Sequence, residues 1–114
     1  GIYPDRKVDS LGISRELLNA AMQTNAFGAI RMVQACLPLL EKSTGARVIN
    51  VSSGMGEMDS LTTTATSYSL SKLALNGATV MLSQSLKAKN IVINAMCPGW
   101  VRTDMCGCPA SDSP

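Results

Sequence analysis

The chain has 114 residues, 46% of them hydrophobic, with ten basic side chains against eight acidic ones and no His. That length suits one small domain, and the weak positive balance, with no run of like charge beyond Arg6-Lys7, leaves no electrostatic footprint for nucleic acid or an anionic membrane. The lack of imidazole excludes a Ser-His-Asp triad, and with no apolar span of about 18 residues and no signal-peptide layout the expectation is a soluble, cytoplasmic protein.

The chain starts at Gly1 rather than Met and stops in "GCPASDSP", so both ends look cut, and residues 1–114 read as part of a longer domain. After a loop holding Pro4, Ser14 is the expected N-cap of a first helix. Leu17, Ala21, Asn25, Gly28, Met32, Cys36 and Leu39 then recur at spacings of three and four, which marks one helical face. Pro38 is expected to kink or end that helix, and Ser43-Thr44-Gly45 breaks the chain. "ARVINVSS" reads as a strand and "GMGEMDSLTTTAT" as a loop. A helix follows from about Ser67 to Lys87, then a turn at Lys89-Asn90 and a second strand, "IVINAM", ended by Cys97-Pro98-Gly99.

Strand, long helix, strand is a βαβ unit, so the strands should be parallel with a right-handed crossover. Their nearly continuous apolar runs fit strands covered on both faces, as in α/β folds. Two strands and two helices alone would leave part of that surface open. Ligands of open parallel sheets bind beyond the carboxyl ends of the strands. Ser52-Ser53, Pro98-Gly99 and the start of the helix bearing Tyr68 all fall at that edge.

Tyr68 and Lys72 stand one turn apart on the face that continues as Leu75, Thr79, Leu82 and Leu86. A nearby ammonium stabilises a phenolate and brings a phenol with an ordinary pKa of about 10 toward useful acid-base work. Taken alone, such a pair is more often a solvated helix start. Ser53, at a strand end, is either an ordinary backbone-bonded Ser or a hydroxyl that holds a carbonyl oxygen near the phenol. Asn25 interrupts an apolar stripe, where a buried amide must find partners. It either satisfies freed backbone groups at a local kink or anchors a water. Cys97, Cys106 and Cys108 are a conceivable thiolate cluster, but structural zinc sites favour wider spacers and four ligands, so incidental thiols and no metal are expected.

These pieces together resemble the short-chain dehydrogenase/reductase (SDR) superfamily over nearly the whole chain. Gly1 looks like the last residue of the family's Asn-Asn-Ala-Gly motif, and "TNAFG" is similar to the segment with its active-site Asn, here Asn25. "RVINVSSGMG" resembles the strand that ends in the catalytic Ser, and Gly56 sets that alignment on Ser53 rather than Ser52. "YSLSK" supplies Tyr68 and Lys72, and "NAMCPGWVRTDM" is similar to the Pro-Gly-x-Val-x-Thr segment, in wording closest to carbonyl reductases.

The resemblance implies a doubly wound, Rossmann-type parallel sheet present as its carboxyl-side portion, and hydride transfer between NAD(P)H and a small carbonyl or alcohol. It implies that Tyr68 donates the proton, that Lys72 lowers the Tyr pKa and binds the nicotinamide ribose, that Ser53 orients the carbonyl, and that Asn25 holds a water linking Lys72 to solvent. It also implies that Pro98, Gly99, Val101 and Thr103 contact the nicotinamide end, with Gly1 beside it; Trp100 either borders the substrate or is an exposed loop residue. NADP is favoured over NAD by the carbonyl-reductase likeness alone. The chain departs from the pattern in a slightly long interval between Ser53 and Tyr68. It departs further in having no Gly-x-x-x-Gly-x-Gly phosphate-binding turn. A catalytically silent fragment and an SDR-fold nucleotide-sugar epimerase are the alternative readings. Pairing through the two long helices and a monomeric state are both left open.

Overall fold

A computed structural model describes residues 1–105; Cys106 and Cys108 of the conceivable thiolate cluster lie outside them. The first helical region begins at Ser14, whose hydroxyl accepts from the Leu17 amide at 3.2 Å as an N-cap should. It runs as α1 (Arg15–Ala21), a π-helical turn (Met22–Phe27) and α2 (Gly28–Glu41). The widened turn is closed by the Gly28 amide bonding the Gln23 carbonyl, a five-residue step.

That turn corrects the expected apolar face. Ala21 just before it and Asn25 within it are buried as the spacing predicts. Downstream, Met32 and Leu39 are 63% and 69% exposed, while Val33 is buried and Leu37 and Leu40 pack against the core. Every inward position after the turn lies one residue later than an uninterrupted 3.6-residue period puts it, because the π turn takes in one extra residue. Pro38 does not end α2, which continues to Glu41. It stands in the last turn, where its missing N–H costs only one intrahelical bond.

Two strands follow the expected order: β1 (Arg47–Val51) and β2 (Val92–Met96) pair in parallel, with Ile49 opposite Asn94. Between them α3 (Thr66–Lys87) makes the crossover. The loop after β1 is more ordered than its composition suggests, with 3₁₀ turns at Gly54–Gly56 and Met58–Ser60. Asn90, at φ 56°, turns the chain from α3 into β2, a left-handed position that Asn tolerates.

The core joins Val33, Ala46, Leu86, Ile91 and Ile93, with Val48, Leu37, Leu40 and Leu82 packed around it. On the helix-covered face of β1, Asn50 is buried and its amide donates to Thr79 Oγ1 of α3 at 2.9 Å. The alternate side chains Ile49, Val51, Val92 and Met96 are exposed, so among the described residues the sheet is covered on one face only. No helix of the described residues is long and apolar enough to cross a membrane.

Candidate active site

The candidate side chains gather at the carboxyl ends of β1 and β2, against the first turns of α3. Two close approaches set this geometry. A Cβ on Gly56 would fall 2.7 Å from the Lys72 backbone carbon and 2.8 Å from the Leu73 nitrogen, so only glycine lets the loop after β1 lie directly on α3. A Cβ on Gly1 would fall 2.9 Å from Asn25 Oδ1 and 3.4 Å from Lys72 Nζ, which places both polar groups around the first residue.

Tyr68 and Lys72 are both buried at the head of the stripe that continues through buried Leu75, Thr79 and Leu86. The Lys72 ammonium lies 5.8 Å from the Tyr68 ring centroid. It donates to the Val51 carbonyl at 2.8 Å, so the last residue of β1 holds it against the strand end. Burial pushes its pKa below the ordinary lysine value of 10.5, because desolvation disfavours the ammonium form.

The two serines after β1 diverge. Ser52 continues the sheet, its amide bonding the Met96 carbonyl at 2.7 Å, and its hydroxyl donates to Asn76 of α3. Ser53 Oγ accepts from the Met55 amide at 3.2 Å, so it caps the first 3₁₀ turn while its own proton stays available to another acceptor.

Asn25 sits in the π turn, 4% exposed. Its amide oxygen accepts from the Ile2 amide and its nitrogen donates to the Ile2 carbonyl, both at 2.8 Å, and to Ser71 Oγ at 3.0 Å. The side chain therefore serves the backbone of the first loop and α3 rather than freed groups of its own helix.

A cleft of about 200 Å³ opens between these elements. Tyr68, Lys72, Ser53 and Gly1 line it, and so do Pro98, Gly99, Trp100, Val101 and Thr103. Of the residues expected at a site, Asn25 alone lies behind the cleft rather than on it. Tyr3, Met55 and Met105 add apolar wall. Cys97 also faces it, with its sulfur accepting from the Gly54 amide at 3.3 Å and so joining the two strand-end loops. A larger hollow of about 400 Å³ beside β2 shares Ser52, Ser53 and Cys97 but has neither Tyr68 nor Lys72, and Glu57 is its one charged side chain. Tyr68 and Lys72 both face the smaller cleft. Among the described residues no group of three or more Cys, Asp or Glu could hold a metal ion.

Two contributors were not anticipated from sequence. Tyr3 stacks on Tyr68, ring centroids 4.2 Å apart at 24°. Asp5, wholly buried, accepts from the amides of Ser67 and Tyr68. The only local signal for Asp5 was negative: Ala65, just before α3, carries no capping oxygen. Thr66, the first helical residue, donates its hydroxyl to Ser10 Oγ.

A family model described as short chain dehydrogenase matches residues 1–112. C-signal of Myxococcus xanthus is 40% identical over 94 residues, covering 78% of this chain and 57% of that protein. Among solved structures, carbonyl reductase Sniffer of D. melanogaster aligns with a TM-score of 0.87 at 34% identity, covering 96% of this chain and 49% of its own. The NADPH-bound carbonyl reductase from chicken fatty liver aligns with a TM-score of 0.87 at 29% identity, covering 97% and 48%. The chain thus spans about half the length of the relatives it matches.

Proposed function

The chain belongs to the short-chain dehydrogenase family, and on that premise we propose that the intact protein reduces a carbonyl group to an alcohol, or runs the reverse oxidation, with a nicotinamide dinucleotide. The observation that carries this reading is the convergence of Tyr68, Lys72 and Ser53 on one cleft walled by Pro98, Gly99 and Val101 at the strand ends. A reduced nicotinamide bound there would supply the hydride. The residues present fit its nicotinamide-ribose end: Lys72 has two N–H groups left after its bond to Val51, enough for a pair of hydroxyls. NADP is the favoured form, supported by the NADPH-bound neighbour.

In this reading Tyr68 gives its phenolic proton to the carbonyl oxygen as the carbonyl carbon gains hydride. Lys72 stabilises the phenolate left behind, an attraction strengthened by the low dielectric of a buried pair. Ser53 directs its free O–H at the same oxygen and holds it near the phenol. Asn25 keeps the Gly1–Ile2 backbone against α3, and the second lone pair of its Oδ1 can take a water on the way from Lys72 to solvent. The apolar wall of Tyr3, Met55, Trp100 and Met105 favours a carbonyl compound with an apolar body.

Tyr68→Phe in the intact protein tests the assignment. It should lower kcat by about 10²–10⁴-fold, the range for losing a general acid, while NADPH still binds by fluorescence titration. Unchanged turnover of a probe such as benzaldehyde would remove Tyr68 from the mechanism.

A further inference from the structure

We propose that Asp5 is a positioning residue for Tyr68: from the first loop it fixes where the phenol stands at the head of α3. The proposal rests on the reading of Tyr68 as proton donor. Helix α3 starts at Thr66 without a cap of its own, because Ala65 offers no oxygen and sits in the left-handed region at φ 57°. The first amides of a buried helix start need acceptors from elsewhere. Ser67 cannot help, since its hydroxyl is buried with no hydrogen-bond partner among the described residues. Asp5 fills the need, accepting from the Ser67 amide at 2.6 Å and more weakly from the Tyr68 amide at 3.4 Å, with its negative charge at the positive end of the helix dipole.

The loop that carries Asp5 is held at both ends. The Asn25 amide clasps Ile2 on one side, and on the other the Ser10 amide and hydroxyl both bond the Thr63 carbonyl at 2.8 Å. Tyr3, two residues before Asp5, stacks on the Tyr68 ring, with the Arg6 guanidinium 5.0 Å from the Tyr3 centroid. One short loop therefore grips Tyr68 twice, at its amide through Asp5 and at its ring through Tyr3. Asp5 does not line the cleft, so it acts on turnover through the residues it holds, Tyr68 and the loop bearing Tyr3.

The test compares Asp5→Ala, Asp5→Asn and Tyr68→Phe in the intact protein, with ring-labelled tyrosine NMR, steady-state kinetics on benzaldehyde with NADPH, and thermal unfolding. Tyr68→Phe identifies the Tyr68 resonance. Asp5→Ala should move that resonance and its titration midpoint and lower kcat about tenfold to a hundredfold, the scale of a misplacement near 1 Å, with KM for NADPH little changed. Asp5→Asn keeps one acceptor and should recover most of the loss; if the Ala variant does not fold, the Asn variant is read alone for a smaller shift of the same kind. Unmoved tyrosine signals and wild-type kcat, with or without a lower Tm, would overturn the proposal and leave Asp5 a plain helix cap. Full turnover in Tyr68→Phe would instead defeat the catalytic reading, and the NMR comparison would still decide whether Asp5 places the ring.

Discussion

The two halves of α3 are held in place by opposite means, and the first half is the more deeply buried. From Ser67 to Lys72 the inward residues are mostly polar, and directed contacts hold this stretch: Asp5 on the first amides, Asn25 on Ser71, Val51 on Lys72. From Leu75 to Leu86 the inward residues are mostly apolar, and Leu82 and Leu86 join the core of Val33, Val48, Ile91 and Ile93 through dispersion and exclusion of water. A single helix thus carries a site at one end and an anchor at the other. Directed bonds fix orientation, which the proposed proton donor needs; apolar packing holds the helix on the sheet with little demand on angle.

That division can be broken from either end. The largest effect on stability is expected at the anchor: Leu86→Ala should cost about 2–5 kcal/mol, read by denaturant unfolding of the intact protein, with kcat per folded molecule unchanged. Loss of turnover in step with stability would show that the two halves are not separable. Next is Gly56→Ala, where the new methyl meets the α3 backbone rather than a flexible side chain. It should cost about 1–3 kcal/mol as an overpacking change and, unlike Leu86→Ala, also lower kcat, because it pushes Lys72 and the Ser53 loop apart.

The smallest effect is electrostatic. Burial lowers the Lys72 pKa in the folded protein, so between that lowered value and 10.5 the unfolded chain binds more protons than the folded one. Stability contributed through this group therefore rises with pH across that window and is least below it. Lys72→Met should flatten the rise in a comparison of unfolding free energies across the alkaline range. An identical slope in both proteins would mean that Lys72 does not feel its burial.

Much of the fold was legible because its signals are local. Ser14 caps the first helix, the stripe from Tyr68 to Leu86 faces inward, and β1 and β2 pair in parallel, all readable from spacing and residue type. The convergence of Ser53, Tyr68 and Pro98 at one edge followed from βαβ topology. The parts that were not legible depend on distant partners or on a change of period. Asp5 meets an amide more than 60 residues away, and no pattern around either residue announces the other. The burial of Val33 in place of Met32 follows from the π turn, whose residues Met22–Phe27 have no feature that separates them from ordinary helix except an Asn on an apolar face.

That widened turn has a consequence for how the chain can vary. A substitution at Asn25 removes an amide, but deleting any one residue between Met22 and Phe27 would let the helix close into regular α geometry. The faces on either side would then stay in step, with Ala21 and Val33 both inward at an uninterrupted 3.6-residue spacing, but the widened turn that presents the Asn25 amide to Ile2 and Ser71 would be gone. The grip on the Gly1–Ile2 backbone is thus encoded as a length as much as an identity, and a gap of one in this segment would keep both flanking helices in step while removing the turn that carries the amide.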